Sequence, residues 1–214
     1  MNRMPIKGLL AAALFLAVAM PATTSAEGAP TAKPAETGAE ELTAQDTEVL
    51  AWANQLAGET SQTIEKWLAS KTITEEHLFA HFYFPIPQTD PLKYTTEYDT
   101  LADRDFLGPE EKTLARSSAL LYAVAADSNG YVPTHNQRYS MASTGNKAVD
   151  LLNNRTKRIF ADRTGWAAAK NELPYLLQKY KQDTGEIMYD LSVPVTVRGK
   201  HWGCVRIGYR RNEK

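Results

Sequence analysis

Seven residues in the middle and C-terminal parts of the chain have side chains suited to holding a small charged molecule. They are Tyr131, His135, Asn136, Arg155, Arg158, Trp166 and Asp190. An arginine fork can donate two parallel hydrogen bonds to a carboxylate, an aspartate can hold an ammonium group, and aromatic rings can wall the rest of a ligand. If these side chains converge, the sequence predicts a site for a small charged or zwitterionic metabolite.

Each of these residues also has a purely structural interpretation. The two arginines could pair with Asp150 and Asp162, and Asp190 could accept hydrogen bonds from loop amides. The histidine could tether the turn in which it lies, while Tyr131 and Trp166 could belong to the core. The sequence leaves these alternatives open.

Catalytic patterns are absent from the sequence. It has no G-x-S-x-G motif and no glycine-rich phosphate loop, and its single cysteine, Cys204, lies in an apolar stretch where a thiol is usually inert. Ser192 and Asp190 are two positions apart, but strand neighbours at this spacing share a face without being arranged for proton transfer. The sequence therefore predicts a protein that is not an enzyme.

The four histidines form no metal or haem signature. His77 and His81 would share a helix face, but Leu78 follows His77, so the H-E-x-x-H pattern of zinc sites is missing. A single cysteine allows neither an intrachain disulfide nor a covalent C-x-x-C-H haem site. No cofactor and no metal is predicted, with noncovalent haem on His135 or His201 as a further alternative.

The first 26 residues have the three-part layout of a secretory signal peptide, with Arg3 and Lys7, an apolar stretch, and small residues ending at Ala26. The apolar stretch has about 13 residues, fewer than the roughly 20 that span a bilayer. We expect cleavage after Ala26 and a periplasmic location, with an uncleaved anchor as the alternative. Cleavage removes 2 of the 24 Lys and Arg residues and leaves 22 against 25 Asp and Glu residues, a formal charge of −3. This balance argues against nucleic-acid binding.

The composition of the remaining chain changes near position 43. Positions 27–42 are rich in Ala, Pro, Thr, Gly and Glu with almost no large apolar side chain, which predicts a flexible leader. From position 43 to 70, apolar residues recur every three or four positions, which predicts a long amphipathic helix. Its apolar stripe could dock on the domain or form the seam of a homodimer.

Shorter elements follow this helix. They are a helix at 74–81, an extended wrap at 84–91, a hairpin formed by 119–126 and 131–133 around a turn at 127–130, and covering helices at 146–153 and 164–171.

The C-terminal part predicts a three-stranded antiparallel meander. Its strands span 175–181, 187–197 and 201–210, with turns at 183–185 and 198–199. Alternation along the last strand places Trp202, Cys204 and Arg206 on one face. Positions 43–214 are therefore predicted to form one α+β domain, in which the long helix packs on an antiparallel sheet of about five strands.

Several motifs in fixed order carry a family resemblance. They are P-I-P at 85–87 with T-D-P at 89–91, D-S-N-G-Y-V-P-T-H-N at 127–136, N-R-x-K-R-I-F at 154–160, D-R-T-G at 162–165, L-L-Q-x-Y at 176–180, D-x-S-x-P at 190–194 and H-W-G at 201–203. Over about 130 residues the chain resembles the extracytoplasmic sensor region of bacterial methyl-accepting chemotaxis proteins, a single Cache domain with a PAS-like sheet.

This resemblance implies a periplasmic domain that binds a small molecule and signals through a membrane helix to a cytoplasmic domain. The sequence ends at Lys214 without such an output module. We therefore expect it to pass its ligand state to a separate membrane chemoreceptor or sensor kinase, or to buffer or deliver the ligand. The alternative from another class is a protein-interaction module without a metabolite ligand, which would use the long helix and the wrap at 85–91.

Overall fold

The computed structural model describes residues 41–181 and 187–212. These residues form an α+β fold with one long helix and an antiparallel sheet, which confirms the predicted class. The predicted signal peptide, positions 27–40 of the predicted leader and the predicted turn at 183–185 lie outside the described residues. In the described part of the chain, no helix is long and apolar enough to cross a membrane.

The longest element is helix α1, Ala44–Ala69. It begins at a capping box in which Thr43 Oγ1 accepts a hydrogen bond from the Asp46 amide and the Asp46 carboxylate accepts one from the Thr43 amide. The helix predicted at 43–70 is confirmed. Its buried stripe packs on the central sheet, and its members are Val49, Ala53, Leu56, Ala57, Thr60, Ile64, Trp67 and Leu68. A homodimer through this helix stays a prediction, and it would have to use the other helix faces.

In the described part of the chain, five further α-helices are short. They are α2 (Glu75–Phe79), α3 (Asp99–Asp105), α4 (Leu107–Leu114), α5 (Lys147–Asn153) and α6 (Arg163–Ala169). The helices predicted near 74–81, 146–153 and 164–171 correspond to α2, α5 and α6. Helices α3 and α4 lie where the sequence analysis placed no element.

The central sheet has four strands in the order β3-β8-β7-β6. Two small two-stranded ladders, β1 with β2 and β4 with β5, lie outside it. In chain order the strands are β1 (Phe84–Ile86), β2 (Lys93–Thr95), β3 (Leu120–Asp127), β4 (Tyr131–Val132), β5 (Arg158–Ile159), β6 (Leu176–Lys181), β7 (Ile187–Val197) and β8 (Lys200–Tyr209). The predicted meander is confirmed as β6, β7 and β8. The wrap at 84–91 contains β1, which pairs with β2.

The hairpin predicted around positions 127–130 is wrong. Strand β3 pairs with β8, whereas β4 pairs with β5, so the described sheet has one strand fewer than the five expected. Asp127 Oδ1 accepts hydrogen bonds from the amides of Asn129 and Tyr131, and Gly130 adopts a φ of +77°. This turn directs the chain out of the sheet, and the amide of Phe160 then pairs with the carbonyl of Gly130.

In the last strand, Trp202 lies on the opposite face of the sheet from the one predicted. In the pairing of β7 with β8, Val195 lies opposite Gly203. The next residue, Thr196, lies opposite His201, so Trp202 is the extra residue of a β-bulge. Its fully buried ring packs in the core cluster that contains α1. The predicted alternation fails at Trp202 because a bulge interrupts the period of two.

The sheet separates two apolar clusters. The larger one lies between α1 and the sheet and includes Leu191 and Val205. The smaller one lies on the other face and includes Val124 and Cys204. Because alternate residues of a strand point to opposite faces, Arg206 of β8 points to this second side. That side holds the candidate site.

Candidate functional site

A cavity of about 190 Å³ lies on the face of the sheet opposite α1. Its wall comes from the sheet, the loop after β4, the segment around β5, the start of α6 and strand β6. The lining residues are Tyr122, Val124, Val132, His135, Arg155, Phe160, Asp162, Thr164, Tyr180 and Arg206. A cavity of about 150 Å³ admits benzene, and pockets for drug-sized ligands have about 300 Å³ or more. The cavity therefore suits a ligand of about six to eight non-hydrogen atoms.

A buried ion pair forms one wall of the cavity. Arg206 Nε and Nη2 donate to Asp190 Oδ2 at 3.0 and 2.7 Å, and the Tyr122 hydroxyl donates to the same oxygen. Although burial opposes the charge of the guanidinium, the Asp190 carboxylate raises the pKa of Arg206 above its usual range. Asp190 itself is fully buried and does not line the cavity. Its Oδ1 is buried without a partner among the described residues, but Arg206 matches the charge of the carboxylate, which is therefore not offered to a ligand ammonium group in the cavity.

Arg155 contributes a cation that has no acidic partner in the described part of the chain. Its guanidinium lies over the rings of Tyr139 and Phe160, at 5.7 and 5.4 Å from their centroids. Over residues 41–181 and 187–212, its side chain makes no hydrogen bond and no ion pair, and its Nε is buried without a partner. Such a guanidinium retains its full capacity to donate to an oxyanion.

The acids that could have paired with Arg155 and Arg158 are engaged elsewhere. Asp150 accepts hydrogen bonds from the loop at 143–145, and these bonds, led by the Thr144 amide, lower the pKa of Asp150. Asp162 Oδ1 accepts hydrogen bonds from two amides in the first turn of α6, both at 3.0 Å. The structural alternative of two Arg–Asp pairs is therefore wrong for these residues.

Two further arginines lie beside the cavity. The Arg138 guanidinium lies 5.1 Å from the centroid of Tyr139, and that of Arg158 lies 5.1 Å from the centroid of Phe160. Burial, together with the charge of Arg155, lowers the pKa of Arg158. Guanidiniums and rings thus alternate along one side of the cavity, and cation–π contacts hold the arginines without neutralising them.

His135 lies between two aromatic rings at the cavity wall. Its ring centroid is 6.1 Å from that of Tyr122 and 5.0 Å from that of Tyr139. Burial is the main reason that the pKa of His135 lies well below 6.5, and the nearby arginines lower it further. Nδ1 of this neutral ring has no hydrogen-bond partner among the described residues. It can therefore donate or accept one hydrogen bond, as its tautomer dictates.

The remaining predicted site residues lie away from the cavity lining. Asn136 is fully buried, and its Oδ1 accepts a hydrogen bond from the Ala123 amide at 2.8 Å. Tyr131 belongs to the α1-side core and donates its hydroxyl hydrogen to Asp99 at 2.8 Å. Trp166 is 46% exposed on α6. Arg158 reaches the Phe160 ring but is not itself a lining residue.

The sequence analysis missed several lining residues, and Arg206 is the most informative of them. A charged residue in an otherwise apolar strand requires a buried partner. The register in which β7 pairs with β8 places Arg206 close to Asp190, so a correct prediction of that register would have identified the partner. The aromatic residues Tyr122 and Tyr180 carried no comparable signal, because aromatic side chains in strands are usually core residues. Tertiary contacts were needed to place them.

His77, His201 and Cys204 lie outside the cavity lining and have structural contacts. His77 pairs with Glu97, and His201 Nε2 is 2.8 Å from the carbonyl oxygen of Ala169. Among the residues that the structure describes, no three His, Cys, Asp or Glu side chains are grouped so as to hold a metal ion. Burial raises the pKa of the Cys204 thiol to about 12, so the thiol is protonated at neutral pH.

The site as a whole combines aromatic walls, one matched ion pair and one unmatched guanidinium in a space for a small molecule. This chemistry suits a compact ligand with an oxyanion group. No protein family model matches the chain, and no curated protein is significantly similar to it.

Proposed function

We propose that this protein is an exported, periplasmic binding domain of the single-Cache, PAS-like type that senses a small charged metabolite. The ligand occupies the cavity beside Arg155, and the domain passes its ligand state to a membrane chemoreceptor or sensor kinase. One observation carries the proposal: a guanidinium that has no acidic partner among the described residues lies in the wall of a cavity of ligand size.

The positions of the motifs support this proposal. The segments at 127–136, 154–165 and 176–180 are separated in sequence, yet each contributes lining residues to the same cavity. The α+β architecture, with a long helix against an antiparallel sheet, is compatible with a PAS-like domain. Motifs that converge on one cavity favour a shared binding role over separate structural roles.

Noncovalent haem is a weaker candidate. A cavity of about 190 Å³ suits a ligand close to benzene in size, whereas the haem macrocycle is several times larger. His201 is engaged with a backbone carbonyl, and His135 is held between two aromatic rings. The cavity is therefore too small for haem, and neither histidine is placed as its ligand.

A second candidate is a protein-interaction module without a metabolite ligand. Helix α5 favours it, since Val149, Leu151 and Leu152 are 39%, 46% and 64% exposed. Apolar side chains that cluster on a short exposed helix are typical of contact surfaces. This candidate and the sensing proposal make opposite predictions for a ligand screen.

A thermal-shift screen of the purified protein tests the proposal. The compounds are organic acids, amino acids, amines and purines, each examined by titration calorimetry when it raises the melting temperature. A ligand at about one hundred times its dissociation constant adds roughly 2.7 kcal/mol, which raises the Tm of a domain of this size by about 5 to 10 °C. We expect such a shift for at least one charged compound.

Two alanine variants locate the binding site. Arg155→Ala removes the unpaired guanidinium and should abolish the shift. Arg116→Ala is the matched control, because Arg116 is exposed and contacts Trp52 and Gln55 of α1 on the other side of the sheet. A shift that persists in Arg155→Ala would contradict the placement of the ligand beside Arg155. A screen without any shift would contradict the sensing proposal and favour the interaction module.

A further inference from the structure

Positive charge exceeds negative charge around the cavity. Four guanidiniums act on His135 in the cavity wall, those of Arg138, Arg155, Arg158 and Arg206. Among the described residues, the carboxylates that pair with these guanidiniums or line the cavity are Asp190, which is paired with Arg206, and Asp162, which caps α6. These described side chains together carry two positive charges in excess.

Rings and backbone carbonyls hold the excess cations in place, and no acid of the described chain pairs with them. Arg155 and Arg158 share the Phe160 ring, at 5.4 and 5.1 Å from its centroid. Arg158 Nη1 donates to the Leu151 carbonyl at 3.3 Å, and Arg138 Nη2 donates to the carbonyls of two β3 residues. Aromatic faces and carbonyl oxygens orient a guanidinium without neutralising its positive charge, which can then attract an anion.

From this geometry we infer that the ligand is a compact dianion, either a short dicarboxylate or inorganic phosphate. The inference rests on the proposed function, and it narrows the ligand from any charged metabolite to one class. The two negative charges of a dianion match the two excess positive charges of the described side chains. Succinate and phosphate have about eight non-hydrogen atoms or fewer, which is the size that the cavity suits. Arg155 binds one oxyanion group, and Arg158 attracts the second charge.

A zwitterion fits this site poorly. Its ammonium group would require a free carboxylate in the cavity wall, as the sequence analysis assigned to Asp190. Asp190 does not line the cavity, and its Oδ2 already accepts hydrogen bonds from Arg206 and Tyr122. Asp162 does line the cavity, but its carboxylate caps α6, where Oδ1 accepts hydrogen bonds from two amides. An ammonium group among the remaining guanidiniums would meet like charges.

Titration calorimetry with matched probes tests the inference in a buffer free of phosphate and carboxylates. Succinate is compared with butyrate, which has the same chain length and one charge less, and with β-alanine as a zwitterion. Inorganic phosphate is titrated in parallel, so that the tighter of succinate and phosphate identifies the source of the dianion. We expect the better dianion to bind at least tenfold more tightly than butyrate and β-alanine.

Two variants separate the two charges of the ligand. Arg158→Gln should weaken dianion binding about tenfold and change butyrate binding less than threefold. Arg116→Ala should leave every affinity unchanged. Equal affinity for butyrate and succinate, or tighter binding of β-alanine, overturns the inference. If neither dianion binds while another compound of the broad screen does, the inference fails and the sensing function stands; if no compound binds at all, the sensing function itself fails.

Discussion

Arg155 and Arg206 carry the same charge in the wall of the same cavity, yet their surroundings give them different roles. Arg206 is 7% exposed and pairs with a fully buried carboxylate. Arg155 contacts rings and no acid in the described chain. The first arginine therefore stabilises the wall, whereas the second is available to a ligand.

The wall role of Arg206 predicts a large effect of Asp190→Asn on stability. This change leaves a buried guanidinium without its counter-charge, which costs about 3 to 5 kcal/mol in comparable cases. The free energy of unfolding in urea measures the loss. Asp90→Asn is the control, because the Lys147–Asp90 pair is exposed on both sides and contributes about 1 kcal/mol or less.

A loss below about 1 kcal/mol in Asp190→Asn would contradict the structural role of the pair. It would mean that Arg206 finds water or another acceptor when Asp190 is neutral. Arg206 would then also be available to a ligand, and the distinction between the two arginines would not hold.

At the scale of elements, side chains take the place of a further strand beside β3. Glu110 of α4 accepts a hydrogen bond from the Ala125 amide at 2.9 Å, and Asn136 accepts one from the Ala123 amide at 2.8 Å. These two amides point away from β8 and would otherwise be unpaired. The edge is thus closed to pairing with another chain, which an open edge invites.

This closure makes stability depend on pH through Glu110. Burial raises the pKa of Glu110 well above 4.5, against the lowering effect of the Ala125 amide. The folded protein keeps a proton on Glu110 that the unfolded chain releases. The contribution of Glu110 to the free energy of unfolding is therefore full below pH 4.5 and is lost as the pH rises towards the folded-state pKa. Glu110→Gln keeps an acceptor for the Ala125 amide and removes this titration.

We expect Glu110→Gln to lose less stability than the parent between pH 5 and pH 8. The difference should be of the order of 1 kcal/mol or more, measured by urea unfolding at several pH values. Glu48→Gln changes an exposed glutamate of α1 and should keep the parental pH profile. Parallel profiles for the parent and Glu110→Gln would show that Glu110 is ionised in the folded protein.

Across the whole molecule, α1 is fixed to the sheet near both of its ends. At its start, the Asp46 carboxylate accepts hydrogen bonds from Tyr209 and Arg211, which lie at and after the end of β8. Towards its end, Glu65 pairs with Arg198 in the turn between β7 and β8. Side-chain contacts thus join α1 to both ends of β8.

Asp46 makes the first of these attachments dependent on pH. Although burial opposes ionisation, hydrogen bonds from Tyr209, Arg211 and Thr43 lower the pKa of Asp46 below 3.8. The attachment therefore stabilises the fold above pH 3.8 and is lost as the pH falls through the lower folded-state value.

Asp46→Asn should destabilise the protein by about 1 to 3 kcal/mol at pH 7. The difference between variant and parent should shrink at pH 3, because Asp46 of the unfolded parent is then mostly protonated and folding with an ionised carboxylate must release that proton. Thermal unfolding at the two pH values measures both quantities, with Glu48→Gln as the control. A difference that is equal at pH 3 and pH 7 would mean that packing, and not the charge of Asp46, makes the attachment.

Several elements of this protein follow from local sequence alone. The spacing of apolar residues and the Thr43 cap determine α1, because a helix is set by contacts within a few positions. The meander follows from strands of alternating pattern and from the Arg198–Gly199 turn, where both residues have positive φ. The presence of an arginine cluster at 155–158 was also visible in the sequence.

Tertiary structure decided the features that depend on distant pairing. The pairing of β4 with β5 and the side-chain closure of the β3 edge each join separate elements. The bulge at Trp202 lies between neighbouring strands, but it places the Trp202 ring in the core beside α1. The same holds for the site, where Asp190 proved to be the partner of Arg206, and Arg155 has no acidic partner within residues 41–181 and 187–212. Sequence periodicity assigns a residue to a face, but only packing determines which neighbour satisfies its charge and which charge is left for a ligand.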